Sequence, residues 1–362
     1  MDRYQPFREL AKEQGLDAVA LVPGSNFCRL FRKDFHQSER PLIVVIPVSG
    51  IPAAIVPSLE LGSFALVKFE GEIFEWQDQT GYQSAFDALF KHLDVIRIGV
   101  EGQIMRVFVH HAMMAAKPSL EIIEAEKAIS GLRLIKNDEE ISALETAIKY
   151  SEQALSNTLQ QVRAGISETE IESILKQQML ACGGEEFSFG PIVAAGDNSA
   201  RPHAAARADY QLKTGDALLI DFGARYAGLC ADITRTFFIG HCSDEAQAVY
   251  DTVLQANLAG HDATRPGATA HDVDDAVTSA LEASAYADRI VHKTGHGLGR
   301  DVHEAPYIMR GNSQVLQPGM VFTIEPGLYE EGNFGVRIED DVVVTADGLR
   351  CLTSFPKELT VL

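Results

Sequence analysis

The carboxyl-terminal part of the chain repeats itself, and this repeat restricts the possible folds more than any other feature of the sequence. Residues 163–171 return as 265–273 at an offset of 102, and residues 215–223 return as 319–327 at an offset of 104. The first pair joins a glycine to a helix-start pattern, Ser/Thr followed three residues later by Asp/Glu. The second pair is an apolar strand that ends in a carboxylate and a glycine. Such a repeat predicts two related halves that pack about a pseudo-twofold axis.

Two further pairs of residues continue the repeat. His203 corresponds to His303 at an offset of 100, and Asp232 corresponds to Glu339 at an offset of 107. Each short match is weak alone, and chance similarity of short strings is the alternative. Four matches in the same order favour an ancient duplication with small loop changes.

The first 130 residues lack the repeat and alternate between strand and helix patterns. Short apolar runs bounded by Gly or Pro predict strands at 18–22, 42–48, 53–56, 64–69 and 96–100. Amphipathic segments predict helices at 7–14, 82–93 and 120–129. We therefore predict an α+β chain with a small α/β amino-terminal domain over residues 1–135 and a duplicated domain over residues 136–362. The first domain carries no cluster of candidate ligands, which favours a packing or oligomerisation role.

The duplicated domain is predicted to begin with a long helix. Asn137 and Glu140 have the spacing of an N-cap and its capping-box partner. Apolar residues from Ile141 to Leu159 then fall on one helical face, and the helix is predicted to end at Gly165.

An excess of acidic residues limits the partners of the chain. Lys and Arg total 31 against 51 Asp and Glu among 362 residues, a net charge of −20. This balance disfavours nucleic acid and anionic membrane surfaces, which bind cationic proteins. The five scattered cysteines form no CxxC pair and indicate reduced thiols, so we expect a cytoplasmic protein. No apolar run reaches the roughly 18 residues that span a bilayer, and the opening segment has no apolar signal core.

Four carboxylates are expected to converge near the symmetry axis. Asp221 and Asp232 belong to the first hairpin, and Glu325 and Glu339 are predicted to occupy the same places in the second. Buried together they would repel one another unless protons or cations offset the charge. His296 lies between glycines that are expected to turn the backbone sharply and expose its ring. One His and four carboxylates can hold two divalent ions about 3.5–4 Å apart, and suit Mn²⁺, Co²⁺, Fe²⁺ or Zn²⁺.

Each of these motifs has a simpler interpretation when it stands alone. A carboxylate at a strand end is usually a cap, and a Gly-His-Gly tripeptide is usually a loop. Residues 221–223 match the DFG of protein kinases, but no other kinase motif accompanies them. Residues 295–299 match a dinucleotide-binding fingerprint only loosely, because the glycine spacing is wrong. The duplicated carboxylates and the histidine together favour a metal site.

Residues 138–362 resemble the pita-bread metallopeptidases, the group that includes methionine aminopeptidase, aminopeptidase P and prolidase. The resemblance is carried by residues 220–223 (IDFG), 231–236 (ADITRT), 292–299 (HKTGHGLG), 302–306 (VHEAP), 323–327 (TIEPG) and 335–340 (GVRIED). Residues 196–203 (GDNSARPH) and 335–340 favour the proline-specific branch. The first half resembles the amino-terminal domain of creatinase, prolidase and aminopeptidase P more weakly. It carries Phe27-Cys-Arg-Leu-Phe31 in place of the familiar aromatic-Leu-Thr-Gly-Phe signature.

The resemblance implies that all five metal ligands are present. Asp221 would bind one ion, His296 and Glu325 would bind the other, and Asp232 with Glu339 would bridge the two. Manganese is the favoured metal, with cobalt, zinc and iron as alternatives. Water held between two cations loses a proton readily and would act as a metal-bridging hydroxide.

The resemblance also implies roles for groups around the metals. Glu325 would be the general base that passes a proton to the leaving nitrogen. His203 and His303 would be catalytic and substrate-binding residues that donate hydrogen bonds to the substrate carbonyl and the tetrahedral intermediate. Purely structural histidines are the alternative.

Two strand positions suggest residues that support the ligands. Arg337 shares a strand face with Glu339, so it either orients that carboxylate or binds a substrate carboxylate, and a structural role is also open. Thr234 shares a face with Asp232 and is expected to hold it by a hydrogen bond.

The predicted function is metal-dependent hydrolysis of the peptide bond that precedes proline in short peptides. An Xaa-Pro dipeptidase is favoured over an Xaa-Pro aminopeptidase acting on longer chains. A metal-independent creatinase-type or lyase-type enzyme and a non-catalytic binding protein on the same fold are less favoured, because both would be expected to have lost ligands. A homodimer is expected from an amino-terminal domain without chemistry of its own.

Overall fold

The computed structural model describes residues 2–362 of the chain, which forms two compact units, Met1–Arg133 and Leu134–Leu362. The first unit is built on a six-stranded sheet. Its elements in chain order are α1 (Gln5–Glu13), β1 (Ala18–Leu21), α2 (Ser25–Phe31), β2 (Ile43–Pro47), β3 (Ala53–Pro57), α3 (Leu61–Ala65), β4 (Glu72–Trp76), α4 (Gln83–His92), β5 (Arg97–Val100), α5 (Val107–Ala116), β6 (Glu121–Glu124) and α6 (Glu126–Gly131).

The sheet of the first unit is covered on both faces. The strand order is β4-β3-β2-β1-β5-β6, with β1 antiparallel to β2 and parallel to β5. Alternate residues of β1 enter two different cores: Ala18 and Ala20 lie in one, and Val19 and Leu21 lie in the other. Burial on both faces explains why these strands are continuous apolar runs. The strands predicted at 18–22, 42–48, 53–56 and 96–100 are confirmed as β1, β2, β3 and β5.

Two predictions in the first unit are wrong. The apolar run 64–69 begins inside the short helix α3, which ends at Ala65, and continues into a turn rather than forming a strand. Phe64 and Val67 are buried while Leu66 is 69% exposed, a spacing of three that suits a helical turn and not a strand. The helix predicted at 120–129 is a strand in its first part, because β6 pairs in parallel with β5, and only α6 is helical.

The second unit holds the repeated segments. Its elements are α7 (Asp138–Leu159), α8 (Glu168–Ala181), β7 (Glu186–Phe187), β8 (Ile192–Ala195), β9 (Ala217–Phe222), β10 (Ala224–Tyr226), β11 (Leu229–Cys230), β12 (Ile233–Phe238), α9 (Asp244–Ala263), α10 (Ala270–Glu282), β13 (Gly295–Gly297), β14 (Glu304–Ile308), β15 (Val321–Ile324), β16 (Gly327–Tyr329), β17 (Gly335–Arg337), β18 (Asp340–Val344) and β19 (Leu349–Cys351).

The two copies of the repeat have the same order of elements. Each has a pair of helices, α7 and α8 or α9 and α10, followed by an antiparallel strand pair, β9 and β12 or β15 and β18. Ser167 and Thr269 cap α8 and α10 with complete capping boxes. Gly165 and Gly267, which precede these caps, both have a φ of +86°, a conformation that favours glycine. Each copy also contributes the larger share of one hydrophobic core.

The long helix α7 begins where the sequence predicts and ends earlier. Asn137 and Glu140 form the expected capping box. The helix ends at Leu159 rather than at Gly165, whose N–H instead donates to the carbonyl oxygen of Leu212 at 2.8 Å. No helix among residues 2–362 is both long and apolar enough to cross a membrane.

The two hairpins differ in register at the predicted ligands. In the first hairpin Thr234 lies opposite Asp221. In the second, the pairing on either side of the ligands brings Glu339 level with Glu325. Asp232 therefore lies two residues away from the place that Glu339 occupies, and the prediction that these two residues hold the same places is wrong. Thr234 is the register counterpart of Glu339.

Candidate metal centre

The structure brings together all five residues that the sequence predicts as ligands. Asp221 is in β9, and Asp232 directly precedes β12. His296 is the middle residue of β13, Glu325 directly follows β15, and Glu339 lies between β17 and β18. Four of the side chains are buried and that of Glu325 is 16% exposed. The ends of the two hairpins therefore meet at one polar cluster.

The five side chains form two overlapping sets of ligand atoms. Asp221, Asp232 and Glu339 offer oxygens that lie within 4.8 Å of one another, and so do the ligand atoms of His296, Glu325 and Glu339. We call these the aspartate group and the histidine group. Glu339 belongs to both, so the cluster offers two adjacent positions that share one carboxylate.

The donor atoms of the cluster fit divalent cations. Oδ1 of Asp221 is buried and has no hydrogen-bond partner among the described residues. Nε2 of His296 lies 3.6 Å from Oδ2 of Asp232, beyond good hydrogen-bond distance, so protein donors do not satisfy these oxygens fully. Buried carboxylate oxygens that lack donors are costly unless a cation binds them.

Burial and mutual repulsion raise the pKa values of the carboxyl groups in the metal-free aspartate group. Burial, followed by the charge of Glu339 and then that of Asp221, raises the pKa of Asp232 well above its ordinary value. Burial and the charges of Glu325 and Asp221 raise the pKa of Glu339 in the same way. Burial also raises the pKa of Asp221, against the opposing charge of Arg337. Without cations the aspartate group therefore keeps its protons to a higher pH than ordinary carboxyl groups do.

Glu325, in the histidine group, has the opposite tendency. Burial raises the pKa of Glu325, but the hydrogen bond and charge of His296, with the charges of His292 and Arg337, outweigh it and lower the pKa to about 2. Nε2 of His296 lies 3.3 Å from Oε1 of Glu325. Glu325 is thus a carboxylate at neutral pH, as a proton acceptor must be.

Two carboxylates of the aspartate group accept hydrogen bonds from neighbouring side chains, which orient them. The hydroxyl of Thr234 donates to Oε2 of Glu339 at 2.6 Å, so the expectation that Thr234 holds Asp232 is wrong. Nη2 of Arg337 donates to Oδ2 of Asp221 at 2.6 Å, and its Nε donates to Oγ1 of Thr234 at 3.0 Å. The guanidinium is 3% exposed and is occupied by these protein contacts.

A second buried arginine fixes the backbone beneath the ligands. Nη1 of Arg235 donates to the carbonyl oxygens of Glu339 at 2.5 Å and Thr234 at 2.9 Å. Its Nη2 donates to Oδ1 of Asp340 at 2.8 Å. Arg235 is 1% exposed, so these bonds tie the strands of the two hairpins together away from solvent.

The glycines around the cluster permit close contacts between strands. A Cβ on Gly223 would lie 1.7 Å from the carbonyl oxygen of Ala231, and one on Gly295 would lie 2.0 Å from that of Thr323. Gly295 and Gly297 flank His296 within β13, which pairs with both β14 and β15. The predicted sharp turn with an exposed ring is therefore wrong: His296 is in a central strand and is 3% exposed.

A cleft of about 790 Å³ opens onto the cluster. Its lining combines the five clustered residues with apolar, histidine and basic side chains: Phe189, Ile192, Arg201, Pro202, His203, Val291, His292, Lys293, Val302, His303 and Arg337. Both predicted substrate-binding histidines, His203 and His303, therefore lie in the cleft.

The two predicted substrate-binding histidines are accessible to solvent, and His303 is also partly enclosed by its neighbours. The ring centroid of His303 is 4.0 Å from that of His296. Burial and the charge of His296 lower the pKa of His303 to about 4, so its ring is neutral at neutral pH. A neutral ring can still donate one hydrogen bond. His203 is on a turn after the short 3₁₀ helix Gly196–Ala200.

Buried ionic contacts anchor the loop that carries His203. Glu168, at the first turn of α8, is 0% exposed. It accepts hydrogen bonds from the backbone N–H groups of Ala195 at 2.7 Å and Arg207 at 2.6 Å, and from Nδ2 of Asn198 at 3.0 Å. Nη2 of Arg207 also donates to Glu168 at 3.0 Å. Both ends of the loop are therefore attached to one carboxylate.

Sequence reasoning missed a line of side chains behind the cluster. Nη1 of Arg337 donates to the hydroxyl of Tyr329 at 2.8 Å, and that hydroxyl lies 2.8 Å from Nε2 of His292. His292 falls in a motif that carries the family resemblance, and that motif was the signal that could have found it. Tyr329 belongs to β16 and had no signal of its own in the sequence.

A second grouping of potential ligands is occupied by protein cations. His261, Asp340 and Cys351 have ligand atoms within 4.8 Å of one another. Asp340 already accepts from Arg235 at 2.8 Å and from Nζ of Lys357 at 2.5 Å. These positive charges make the grouping a structural ion-pair cluster rather than a metal site.

Comparisons with protein-family models divide the chain in two. Residues 142–346 match metallopeptidase family M24, and residues 3–135 match the Creatinase/Prolidase N-terminal domain. An uncharacterized peptidase of Bacillus subtilis (strain 168), YqhT, is 34% identical over 99% of this chain and 100% of its own length.

Solved structures show the same architecture over the whole chain. A prolidase from Thermococcus sibiricus is 33% identical with a TM-score of 0.94, covering 100% of this chain and 98% of its own. An Xaa-Pro dipeptidase from Bacillus anthracis is 32% identical with a TM-score of 0.91, covering 100% and 99%. An X-Pro aminopeptidase from Thermotoga maritima MSB8 is 31% identical with a TM-score of 0.83, covering 98% and 100%.

Proposed function

The chain belongs to metallopeptidase family M24, with the pita-bread fold of Xaa-Pro peptidases, and from that premise we propose that it is an Xaa-Pro dipeptidase. It is a metal-dependent peptidase, and its relatives with solved structures include prolidases. The observation that carries the proposal is the pair of overlapping ligand groups at the base of a cleft that also holds His203 and His303. We propose dipeptides as the preferred substrates, with longer Xaa-Pro peptides as the alternative.

Two divalent cations are proposed to be held by the five clustered residues. Asp221 would bind one, His296 and Glu325 would bind the other, and Asp232 and Glu339 would bind both. When bound, two such cations supply Lewis acidity that polarises the substrate carbonyl and lowers the pKa of water towards neutrality. The four carboxylates and one imidazole are mostly hard oxygen ligands, which supports manganese as the preferred metal.

Glu325 is proposed to be the general base. Its Oε1 lies 3.3 Å from Nε2 of His296, and its low pKa of about 2 keeps it ionised. It would accept a proton from the attacking water and deliver it to the proline nitrogen as the peptide bond breaks. The hydroxyl of Thr323 lies 3.3 Å from Oε1 and holds the carboxylate in place.

His203 and His303 are proposed to stabilise charge on the substrate. Both line the cleft and are accessible to solvent, and His303 is neutral because its pKa is about 4. A neutral imidazole can donate from one nitrogen to the carbonyl oxygen, and the bond strengthens as that oxygen becomes negative. Arg337 is proposed to position Asp221 and not to contact substrate, because its donors are already engaged.

The chemistry of proline explains why such a site is distinct. An Xaa-Pro bond has no N–H at the scissile nitrogen, so a peptidase that binds that N–H cannot use it. A cleft with apolar walls such as Phe189, Ile192 and Val302 supports binding of the pyrrolidine ring.

Hydrolysis after metal exchange tests the proposal. The protein is treated with a chelator, reloaded with Mn²⁺, Co²⁺, Zn²⁺ or Fe²⁺, and assayed on Ala-Pro, Gly-Pro and Ala-Pro-Ala. We expect Mn²⁺ to restore the highest activity and Ala-Pro to be cleaved faster than Ala-Pro-Ala. Faster cleavage of the tripeptide would favour the aminopeptidase alternative, and no cleavage with any metal would refute the proposed peptidase activity.

Glu325→Gln tests the base. With Mn²⁺ supplied in excess to offset the loss of one ligand oxygen, turnover of this variant should fall by at least about 100-fold, which is within the usual range for a general base. Near-normal turnover with metal bound would exclude Glu325 from this role.

A homodimer and a cytoplasmic location are also proposed, and sedimentation analysis and cell fractionation test them.

A further inference from the structure

The cleft is basic outside its metal ligands although the chain carries a net charge of −20. Among its remaining lining residues none is acidic, and Arg201, Lys293 and Arg337 are basic. Arg337 is buried and paired with Asp221 at 2.6 Å. Arg201 and Lys293 are thus the positive charges that an incoming ligand meets.

Of these two cations, Lys293 has the weaker ties to the protein. Within residues 2–362 it forms no ion pair with a carboxylate, and its Nζ lies 5.8 Å from the ring centroid of Tyr307. Nη1 of Arg201 instead donates to Oδ1 of Asn198 at 3.2 Å, and the charge of Arg201 also acts on Asp197. A cation near an aromatic ring and without a carboxylate partner is ready to bind an anion.

The backbone of Lys293 is fixed relative to the metal ligands. The next residue, Thr294, donates its N–H to Oδ1 of Asp274 at 2.8 Å and accepts the N–H of Glu325 at 2.8 Å. The preceding residue, His292, lies 2.8 Å from the hydroxyl of Tyr329. Lys293, three residues before His296, therefore lies in a segment of the cleft wall that is held in place on both sides.

We propose that Lys293 binds a carboxylate of the substrate and so determines which Xaa-Pro peptides the cleft prefers. This inference rests on the proposed Xaa-Pro peptidase function. In a dipeptide the terminal carboxylate is attached to the carbon next to the scissile nitrogen, so it enters the cleft together with the reacting bond. An acidic side chain on the first residue is a second source of the same group.

Substrates that differ only in carboxylates separate these sources. Lys293→Met is compared with the unchanged protein on Ala-Pro, Ala-Pro-amide and Glu-Pro-amide, each with matched bound Mn²⁺. Loss of one charged hydrogen bond should lower kcat/KM for Ala-Pro about 10- to 100-fold and leave Ala-Pro-amide within about twofold. A selective loss on Glu-Pro-amide instead would assign the acidic side chain as the source.

A matched control is available outside the cleft. Nζ of Lys213 lies 4.9 Å from the ring centroid of Tyr210, so Lys213→Met removes the same charge from a similar lysine–tyrosine pair. This variant should leave the ratio of Ala-Pro to Ala-Pro-amide cleavage unchanged. Equal changes on all substrates in Lys293→Met, or no change on any, would overturn the proposal.

A binding measurement separates failure of this inference from failure of the proposed function. Calorimetry of the Mn²⁺-loaded protein with N-acetylproline and N-acetylprolinamide needs no turnover. The acid should bind at least about 10-fold more tightly than the amide, and Lys293→Met should abolish that difference. If the acid and amide bind equally to the unchanged protein, Lys293 does not bind the carboxylate. If no Xaa-Pro peptide is cleaved, the proposed function fails whatever the binding result.

Discussion

The aspartate group and the histidine group share Glu339 but differ in charge before any cation binds. In the aspartate group burial and mutual repulsion raise the pKa values of Asp221, Asp232 and Glu339. In the histidine group the imidazole of His296 lowers the pKa of Glu325 to about 2. A cation must therefore displace protons from the aspartate group, whereas in the histidine group it replaces an existing His–carboxylate contact.

The two groups also differ in how the protein supports them. Arg337 positions the carboxylate of Asp221, and the backbone N–H of Asp232 donates to Oδ2 of the buried Asp341 at 3.1 Å. In the histidine group one hydroxyl, that of Thr323, accepts from the N–H of His296 at 3.1 Å and donates to Glu325 at 3.3 Å. The difference indicates that the contacts supporting each group can be changed separately, while Glu339 belongs to both groups.

Replacing the shared carboxylate should have the largest effect. Glu339→Gln removes a ligand from both groups and leaves an amide that is a poor metal ligand, so we expect activity to fall by at least about 1000-fold. Bound manganese, measured by elemental analysis, should fall from two ions per chain to one or fewer. Glu330→Gln, at a surface turn where Glu330 pairs with Arg289, is the control and should change neither quantity. Retention of both ions in Glu339→Gln would contradict the sharing.

Arg337→Met should weaken the aspartate group more than the histidine group. Asp221 would lose the donor that orients it, and loss of such a supporting contact typically costs about 10- to 100-fold in metal affinity. A manganese titration should show one ion that is strongly weakened and one that changes less. Arg337→Lys keeps the charge and should be less severe. Equal weakening of both ions would show that Arg337 does not act through Asp221.

Glu168→Gln should affect substrate binding without affecting either ligand group. The buried carboxylate anchors both ends of the loop that carries His203, so its loss should lower kcat/KM by about 10-fold through misplacement of that ring. Manganese content should stay at two ions per chain. Glu172→Gln, on the same helix and paired with Lys176, is the matched control. A fall in metal content in Glu168→Gln would place its effect in the fold instead.

The effect of pH on the stability of the metal-free protein should be smaller than the effects of these substitutions. Its sign should differ between the carboxyl groups whose pKa is raised, in the aspartate group, and Glu325, whose pKa is lowered. A carboxyl group whose pKa is raised in the folded state adds stability that is present below its unfolded pKa and is lost as the pH rises towards the folded value. Each such group costs up to about 1.4 kcal/mol per pH unit in that range. Because of the aspartate group, the metal-free protein should therefore have a Tm several degrees lower at pH 8 than at pH 5.

The histidine group contributes in a different pH range. Because the pKa of Glu325 is lowered to about 2, its stabilisation is complete above its unfolded value and is lost only as the pH falls towards 2. Manganese should raise the Tm more at pH 8 than at pH 5, since cations replace the protons of the aspartate group. A larger increase at pH 5, measured by calorimetric scans, would contradict the charge difference between the groups.

The sequence predicts the clustering of these five residues well because their residue types are constrained by chemistry. Four carboxylates and a histidine at repeated strand ends have few structural explanations, and the capping boxes of Ser167 and Thr269 mark the repeat locally. The register in which the strands of each hairpin pair cannot be read from such short segments. Nothing in the spacing of Asp232 and Glu339 shows that the hairpins pair two residues out of step, because register depends on how whole strands pack.

Contacts between distant segments account for what sequence reasoning misses. Tyr329 gains its role from Arg337 and His292, which come from other strands and loops. The glycines beside His296 resemble turn residues until the neighbouring strands are in place. Phe64 and Val67 belong to an apolar run that fits a strand or a helix equally well, and only packing decides between them.

Calorimetric titration of Mn²⁺ into the chelator-treated protein tests the central claim most directly, because it counts the ions that the five clustered residues are proposed to hold. The account predicts two ions per chain for the unchanged protein, with release of protons on binding at neutral pH. It also predicts one ion or fewer for Glu339→Gln. Binding of a single ion, or of none, by the unchanged protein would contradict it.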